Sequence, residues 1–439
     1  MVVPDNTKGG NMIFDMRLSS VVPARLTGTD VIHEPINMDL AMKLHYVRAV
    51  YYFRSSLVVE GFGVYTVKEA LFRWFNLYSH SCGRFNRSES GRPFIKCNDC
   101  GARFIEAKCS KSLDEWLEME SLSLHNLLVS NQVLGPDLDF SPLVLIQMTT
   151  FKCGGKALGF SWAHVLGDAF SLSEFLNLLG QIMSGHHPPN SPTLPKPAES
   201  KATNKPNNPQ SFLVEPLSVK RVEPVGDHWI AANNCKMENY SFHITAQQLK
   251  AMSSKKFFPT TKIPLFESLS AVFWQCLARV REGSEPKTLT ICRNREKEIT
   301  NLSSNKQTIN TVQVDFSVTE ADPNVLAEMI MESQKVDETN KIEEMVEQDQ
   351  GLSDLIIYGA NLTFVDLEKA DLYGLELKKQ KPSFVNYTID GVGDEGLILV
   401  MKDHPGNVNG DEGRTVTVIL PENQILKLKD ELGREWSIA

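Results

Sequence analysis

Residues 186–210 constrain the fold more than any other stretch, because they cannot be built into a helix or a central strand. They carry seven of the chain's 22 prolines, interleaved with Asn, Ser and Lys. Proline lacks the amide proton that a helix interior or sheet ladder requires, and Asn and Ser favour turns. The run therefore reads as a solvated, semi-extended linker between two segments, each long enough for its own core. His186 and His187 sit in this linker without further ligands nearby in sequence, so they are read as solvated rather than metal-binding.

Both flanking segments mix strand and helix patterns. In the first, Met38 to Tyr46 can start a strand, a helix is expected near Gly63–Tyr78, and Asp114–Leu117 suggests another. The runs Leu143–Met148 and Lys156–Trp162 read as strands joined through Gly154-Gly155. Ser171-Leu172-Ser173-Glu174 fits a capping box, and Phe170, Phe175, Leu178, Leu179 and Ile182 form one apolar helical stripe, a core face. In the second segment, Thr245–Gln248 caps a short helix and Phe266–Arg281 is a strong amphipathic helix. Leu289–Cys292, Thr311–Phe316 and Thr415–Leu420 read as strands, Asp322–Glu347 as one long acidic helix, and a final helix follows residue 420. Asp390–Gly396 is expected to be a hairpin turn. Strands alternating with helices in both segments imply two α/β domains, each a mixed sheet with helices.

Composition excludes several classes. The net charge of −9 argues against a nucleic-acid backbone as the main partner. No apolar run approaches the roughly 20 residues of a membrane span. Met1–Asn6 has no basic or apolar leader, so no secretory signal peptide is expected and the 8 Cys are expected as free thiols in a reducing compartment. Cys97-Asn98-Asp99-Cys100 with Cys82 and Cys109 could be a four-thiolate zinc site. Structural zinc sites usually join two close couples, and here only one exists, so no metal is expected.

The chemistry concentrates in Gly159-Phe160-Ser161-Trp162-Ala163-His164-Val165-Leu166-Gly167-Asp168. With 10 His in the chain, about one chance H-x-x-x-D match is expected, so the spacing alone says little. Its context says more: a strand ends at His164 and a helical pattern begins after Asp168, a loop from which a base can be presented to a cleft. A neutral imidazole there can deprotonate an alcohol or amine. Asp168 can orient that imidazole, or turn away and tie the loop to an arginine while favouring the helix N-terminus. The plain alternative for His164 is a hydrogen-bonded histidine closing a strand. No G-x-S-x-G elbow, Walker loop or complete dinucleotide fingerprint is present.

Phe151–Asp168 resembles the H-x-x-x-D-G segment of the plant BAHD acyl-CoA-dependent acyltransferases, and the resemblance runs along the whole chain. Cys82–Phe85 and Phe94–Asp99 resemble an early strand region of that family, and Phe266–Cys276 the helix that opens its second domain. Arg293-Asn294-Arg295 resembles its D-x-R-x-R strand, with Ile291 in place of the acid, and Asn310 falls where a Gly-Asn follows. The resemblance implies two similar chloramphenicol-acetyltransferase-like domains, residues 1–185 and 236–439, joined by a crossover at 186–235, with a channel between them. By the same resemblance His164 is the general base, and Asp168 is its structural partner, paired with Arg293 first or Arg295 second.

Two departures stand out. Ala169 replaces the glycine after Asp168, and the family's D-F-G-W-G signature is degraded to Glu368–Leu377, where Asp371 remains but Leu375-Glu376 replaces the turn. This pattern is similar to the eceriferum/glossy branch, wax-biosynthesis proteins that assist very-long-chain fatty acid elongation. The resemblance thus implies a non-catalytic partner of an elongase condensing enzyme. The alternative is an acyl-CoA-dependent O- or N-acyltransferase using His164. It further implies acyl-CoA or a long acyl chain as substrate or ligand, no permanently bound cofactor, a monomer on its own, and a cytosolic protein at the endoplasmic reticulum through its partner.

Overall fold

The computed structural model describes residues 12–130, 140–186, 215–225, 233–254, 263–295, 304–403 and 413–438. The start Met1–Asn6, His187 and all seven linker prolines lie outside these residues. Two six-stranded mixed sheets dominate. The first runs, in spatial order, Ile13–Val21, Ala102–Cys109, Val144–Thr150, Lys156–Ala163, Tyr46–Phe53 and Phe384–Asp390. The second runs Met237–Ile244, Arg414–Pro421, Leu397–Lys402, Leu362–Asp366, Thr288–Asn294 and Gln307–Gln313.

The sixth strand of the first sheet comes from the second half of the chain. Phe384–Asp390 pairs antiparallel with Tyr46–Phe53, from Phe384 opposite Tyr52 to Asp390 opposite Tyr46. Leu397–Lys402, just seven residues on, already belongs to the second sheet. Residues 391–396 are therefore a crossover between sheets rather than the expected hairpin turn. Gly393 approaches Gly359 so closely there that a Cβ on Gly359 would lie 2.4 Å from the Gly393 carbonyl oxygen.

Alternation along the strands sorts side chains between layers. Val47, Ala49, Tyr51 and Phe53 point to the helices Val64–Trp74 and Ala169–Met183, while Val50 and Tyr52 point to the opposite face, with Trp116, Leu124 and Leu128. In the second sheet Ile398 and Val400 face the helices Leu265–Val280 and Glu422–Trp436, whereas Leu397, Leu399 and Met401 join the core of the first half. The run Leu397-Ile398-Leu399-Val400-Met401 is apolar at every position because both of its faces are buried.

Local structure departs from the sequence reading in three further places. Met38 lies in a short helix, Asn37–Ala41, before the strand starts at Tyr46. The long acidic helix is two, Pro323–Glu332 and Thr339–Gln348, because the chain turns at Ser333–Lys335 to bring Asp337 beside Asn310. The helix after His164 starts at Ala169 with Asp168 as its cap, and Ser171 instead donates its hydroxyl to the Ser304 carbonyl (2.7 Å), so the Ser171–Glu174 capping box does not form.

Gly159 shows how one residue admits a layer. A Cβ there would lie 2.0 Å from the Leu128 carbonyl oxygen, so only glycine lets the segment Leu124–Leu128 lie on the sheet. Gly159→Ala should lower stability by roughly 1–3 kcal/mol, read from the denaturant midpoint. An unchanged midpoint would show that this segment is not held against the sheet.

Candidate functional site

His164 stands at the end of Lys156–Ala163, where the sheet meets the second half of the chain. Its backbone amide donates to the His45 carbonyl (3.0 Å), which fixes the loop against the neighbouring strand. Its imidazole has no exposed surface. Nε2 lies 3.0 Å from the hydroxyl of Tyr358, and that hydroxyl donates to Gln307 Oε1 at 2.8 Å. Because the tyrosine proton is committed to Gln307, His164 Nε2–H is the donor to Tyr358. The lone pair then falls on Nδ1, which is buried without an aligned partner. Both ring nitrogens are closed off. His164 therefore contacts the second half, as a residue between domains should, but its ring is capped rather than open to a channel.

The electrostatics agree with this enclosure. Burial, with the neighbouring His45 ring adding to it, pulls the His164 pKa down to about 3. Burial likewise pulls His45 down to about 4. Both imidazoles are neutral near pH 7. The rings of His45 and His164 stand 4.9 and 5.3 Å from that of Tyr358, so three buried rings fill the space at the strand end.

Asp168 departs from the resemblance. Neither Arg293 nor Arg295 reaches it. Its Oδ1 accepts from the Ser171 amide (3.0 Å) and its Oδ2 from the Lys306 amide (2.6 Å). The reason is strand parity. Along Thr288–Asn294, Leu289 and Ile291 face the helices of the second half while Cys292 faces the first. Arg293 shares the parity of Ile291, so its guanidinium lies on the far side of the sheet. There it pairs with Glu267 (3.1 Å), donates to the Ile330 carbonyl and stacks over Phe266.

The partner that the sequence reading missed is the segment Ser304–Lys306. Asn305 donates its amide and its Nδ2 to Asp39 Oδ1 (3.0 and 2.8 Å), and Nδ2 also reaches the His164 carbonyl (3.0 Å). Lys306 Nζ meets Glu174 at 2.8 Å. Three consecutive residues of the second half thus clamp the His164–Asp168 loop. Nothing in sequence joins Asp39, Asn305 and Tyr358 to His164, since they are far apart along the chain and each is an ordinary residue locally. Burial raises Asp168, and it pushes Asp39 up to about 7, opposed by the donors from Asn305.

The degraded signature is a packed loop. Asn177, on the helix after Asp168, donates Nδ2 to the Asp371 carbonyl and carboxylate (2.9 and 3.3 Å). Leu372, Leu375 and Leu377 are buried. A Cβ on Gly180 would lie 2.8 Å from the Glu376 amide nitrogen, so the loop rests directly on the helix. Among the described residues, no group of three or more His, Cys, Asp or Glu side chains is placed to hold a metal ion. Cys82, Cys97 and Cys109 are buried free thiols and Cys100 is exposed.

Comparison with known proteins places this architecture. A model of the Transferase family matches residues 19–434. The chain belongs to that family, the BAHD acyltransferases, and to its eceriferum branch. It is 42% identical to Protein ECERIFERUM 26-like of Arabidopsis thaliana over 97% of each chain. It is 40% identical to Protein ECERIFERUM 2 of the same plant, over 96% of this chain and 98% of that one. Vinorine synthase shares the family fold, with a TM-score of 0.66 at 18% identity, covering 95% of this chain and 97% of that one.

Two expectations follow. Asp168→Ala leaves the buried Ser171 and Lys306 amides without an acceptor and should cost about 1–3 kcal/mol, measured by denaturant unfolding; a loss under a few tenths would remove Asp168 from the clamp. The second concerns pH. The folded pKa of Asp39 lies above the usual carboxylate value, so its stabilising contribution is present at low pH and is lost as pH rises from about 4 to about 7. The stability of the native chain relative to Asp39→Asn should therefore fall across that window and level off above it. A difference that is flat or rises would show that Asp39 is ionised throughout.

Proposed function

We propose that this chain supports very-long-chain fatty acid elongation for cuticular wax as a non-catalytic partner of an elongase condensing enzyme. Its full-length similarity to ECERIFERUM proteins supports the pathway. The single observation that supports a non-catalytic role is the Tyr358 cap. A general base must come within about 2.6–3.2 Å of the proton it removes. Here Tyr358 occupies that position on Nε2, and its own hydroxyl is held by Gln307. The proposed ligand is acyl-CoA or a long acyl chain, with no permanently bound cofactor. No helix among the described residues is long and apolar enough to cross a membrane. The proposed location is the cytosolic face of the endoplasmic reticulum, reached as a monomer through the partner enzyme.

One observation favours the second reading, an acyl-CoA-dependent transferase acting on an alcohol or amine. His164 and Asp168 are both retained at a strand-to-helix loop between the two halves. That reading requires Tyr358 to swing away when substrate enters.

The test is acyl-chain profiling in cells carrying the condensing enzyme with either the native chain or His164→Ala at equal abundance. The partner role predicts chain-length profiles that match within about twofold. Loss of the base would instead cost roughly 10² in rate, about 3 kcal/mol of transition-state stabilisation. Profiles that shorten to the level seen without the protein would reject the non-catalytic role.

A further inference from the structure

A concavity lies at the other end of the first sheet. Tyr46 pairs with Ala163, beside His164, and Tyr52 is six residues further along the strand, roughly 20 Å away. There Trp116, Leu124, His125, Tyr240, His243 and Phe384 enclose a cavity of about 480 Å³ between the Trp116–His125 segment and the edge strand Met237–Ile244. This volume is within the range of small-molecule sites. Neither the family signatures nor the proposed partner role uses any of these residues.

The donor pattern inside it is fixed by a buried tyrosine. Tyr52 is fully buried, and burial raises its pKa, so the hydroxyl keeps its proton. That hydroxyl lies 2.6 Å from His125 Nδ1. Among the described residues the tyrosine proton has no other acceptor, so Nδ1 accepts it and the imidazole hydrogen resides on Nε2. Nε2 has no partner among the described residues, and His125 lines the cavity. Burial, with His243 adding to it, holds His125 down to about 4, and burial lowers His243 as well. Both rings are neutral near pH 7. They stand 6.0 and 5.4 Å from the Phe384 ring, on which a flat group can also pack.

Charge narrows the occupant. The described lining has no Lys or Arg, and its charged members are Glu118 and Glu120. Lys429 is already engaged with Glu120 (2.7 Å) and the Tyr240 hydroxyl (3.2 Å). A carboxylate or phosphate would find no lysine or arginine among the described lining residues and would meet Glu118. A neutral carbonyl oxygen would find an N–H donor beside the Phe384 ring, in a lining that also carries Ser121, Asn239 and Ser241, and a site built to donate to a ligand acceptor discriminates against an analogue that lacks it.

We propose that this cavity is a binding site for a neutral, ring-bearing molecule carrying one carbonyl acceptor, held by His125 Nε2–H and packed against Phe384 and Trp116. The site is independent of His164 and of the proposed partner role, so it can fail or stand separately from them.

The test uses the full chain and three related probes. Benzophenone carries two rings and a ketone, diphenylmethane has the rings without the ketone, and 4-benzoylbenzoate adds a carboxylate. Binding is followed by tryptophan fluorescence and calorimetry. Irradiated benzophenone, whose excited ketone adds across a nearby C–H bond to give a carbinol, is mapped by mass spectrometry. The expected result is labelling at the cavity, with Met119 a ready target, and benzophenone bound more tightly than either relative. His125→Leu keeps the apolar volume and removes the donor, so benzophenone should weaken about 5- to 10-fold while diphenylmethane stays unchanged. Met119→Trp narrows the cavity without touching the Tyr52–His125 pair and should reduce binding of both, which keeps the proposal testable if His125→Leu folds poorly. Labelling elsewhere, equal benzophenone affinity in the native chain and His125→Leu, or tighter binding of 4-benzoylbenzoate would overturn it.

Discussion

The second sheet buries both of its faces, and the remaining architecture depends on this. Its outer face takes the helices Leu265–Val280 and Glu422–Trp436, and its inner face takes the first half of the chain through Cys292, Leu397, Leu399 and Met401. Each of these side chains contributes on the order of 1.5–3 kcal/mol when removed from water. An inner face of this kind is not stable alone in solvent. The two halves therefore share a core, while the second half keeps another beneath its own helices, and the strand Phe384–Asp390 ties them further by completing the first sheet. The family's two-domain plan is thus closed by chain crossing as well as by contact.

That closure sets the surroundings of the signature histidine. Once the inner faces meet, Tyr358, Gln307 and the clamp Ser304–Lys306 are brought against the loop 164–168. Asp39 and Asp168 each accept from one donor-bearing segment of their own half, at Ile36 and Ser171, and from Asn305 or Lys306 of the second, and His164 is buried with Tyr358 across its Nε2. The arrangement is that of a packed polar junction, in which nearly every group serves to join the halves. Tyr358 lies across Nε2 of His164 and Nδ1 is buried, so both ring nitrogens sit inside the junction.

Much of the fold was legible. The strands Val144–Thr150, Lys156–Ala163 and Arg414–Pro421 and the helix Leu265–Val280 have strong local patterns. The motif loop was placed at a strand-to-helix junction because a β-rich run ends at Ala163 and a helical stripe follows Asp168. The misreadings share one cause. Residues 391–396 look like a hairpin turn because turn chemistry is local, whereas which sheet each flanking strand joins is not. The Arg293 pairing failed on parity: the sequence shows an arginine in a strand, and only the packed sheet shows that this position points at Glu267.

The sequence by itself determined the classes of element, the two-part division, the position of His164 and Asp168 in the chain, and membership of the family. The elements follow from periodicity and turn chemistry, which act over a few residues, and family membership rests on a resemblance that runs along the whole chain. The tertiary structure alone decided that the Lys306 amide would hold Asp168, that Tyr358 would cover His164, and that Tyr52 would fix the tautomer of His125. Each of these joins residues 73 to 194 positions apart. Such pairs are set by which apolar faces bury against each other, and no local pattern carries that information.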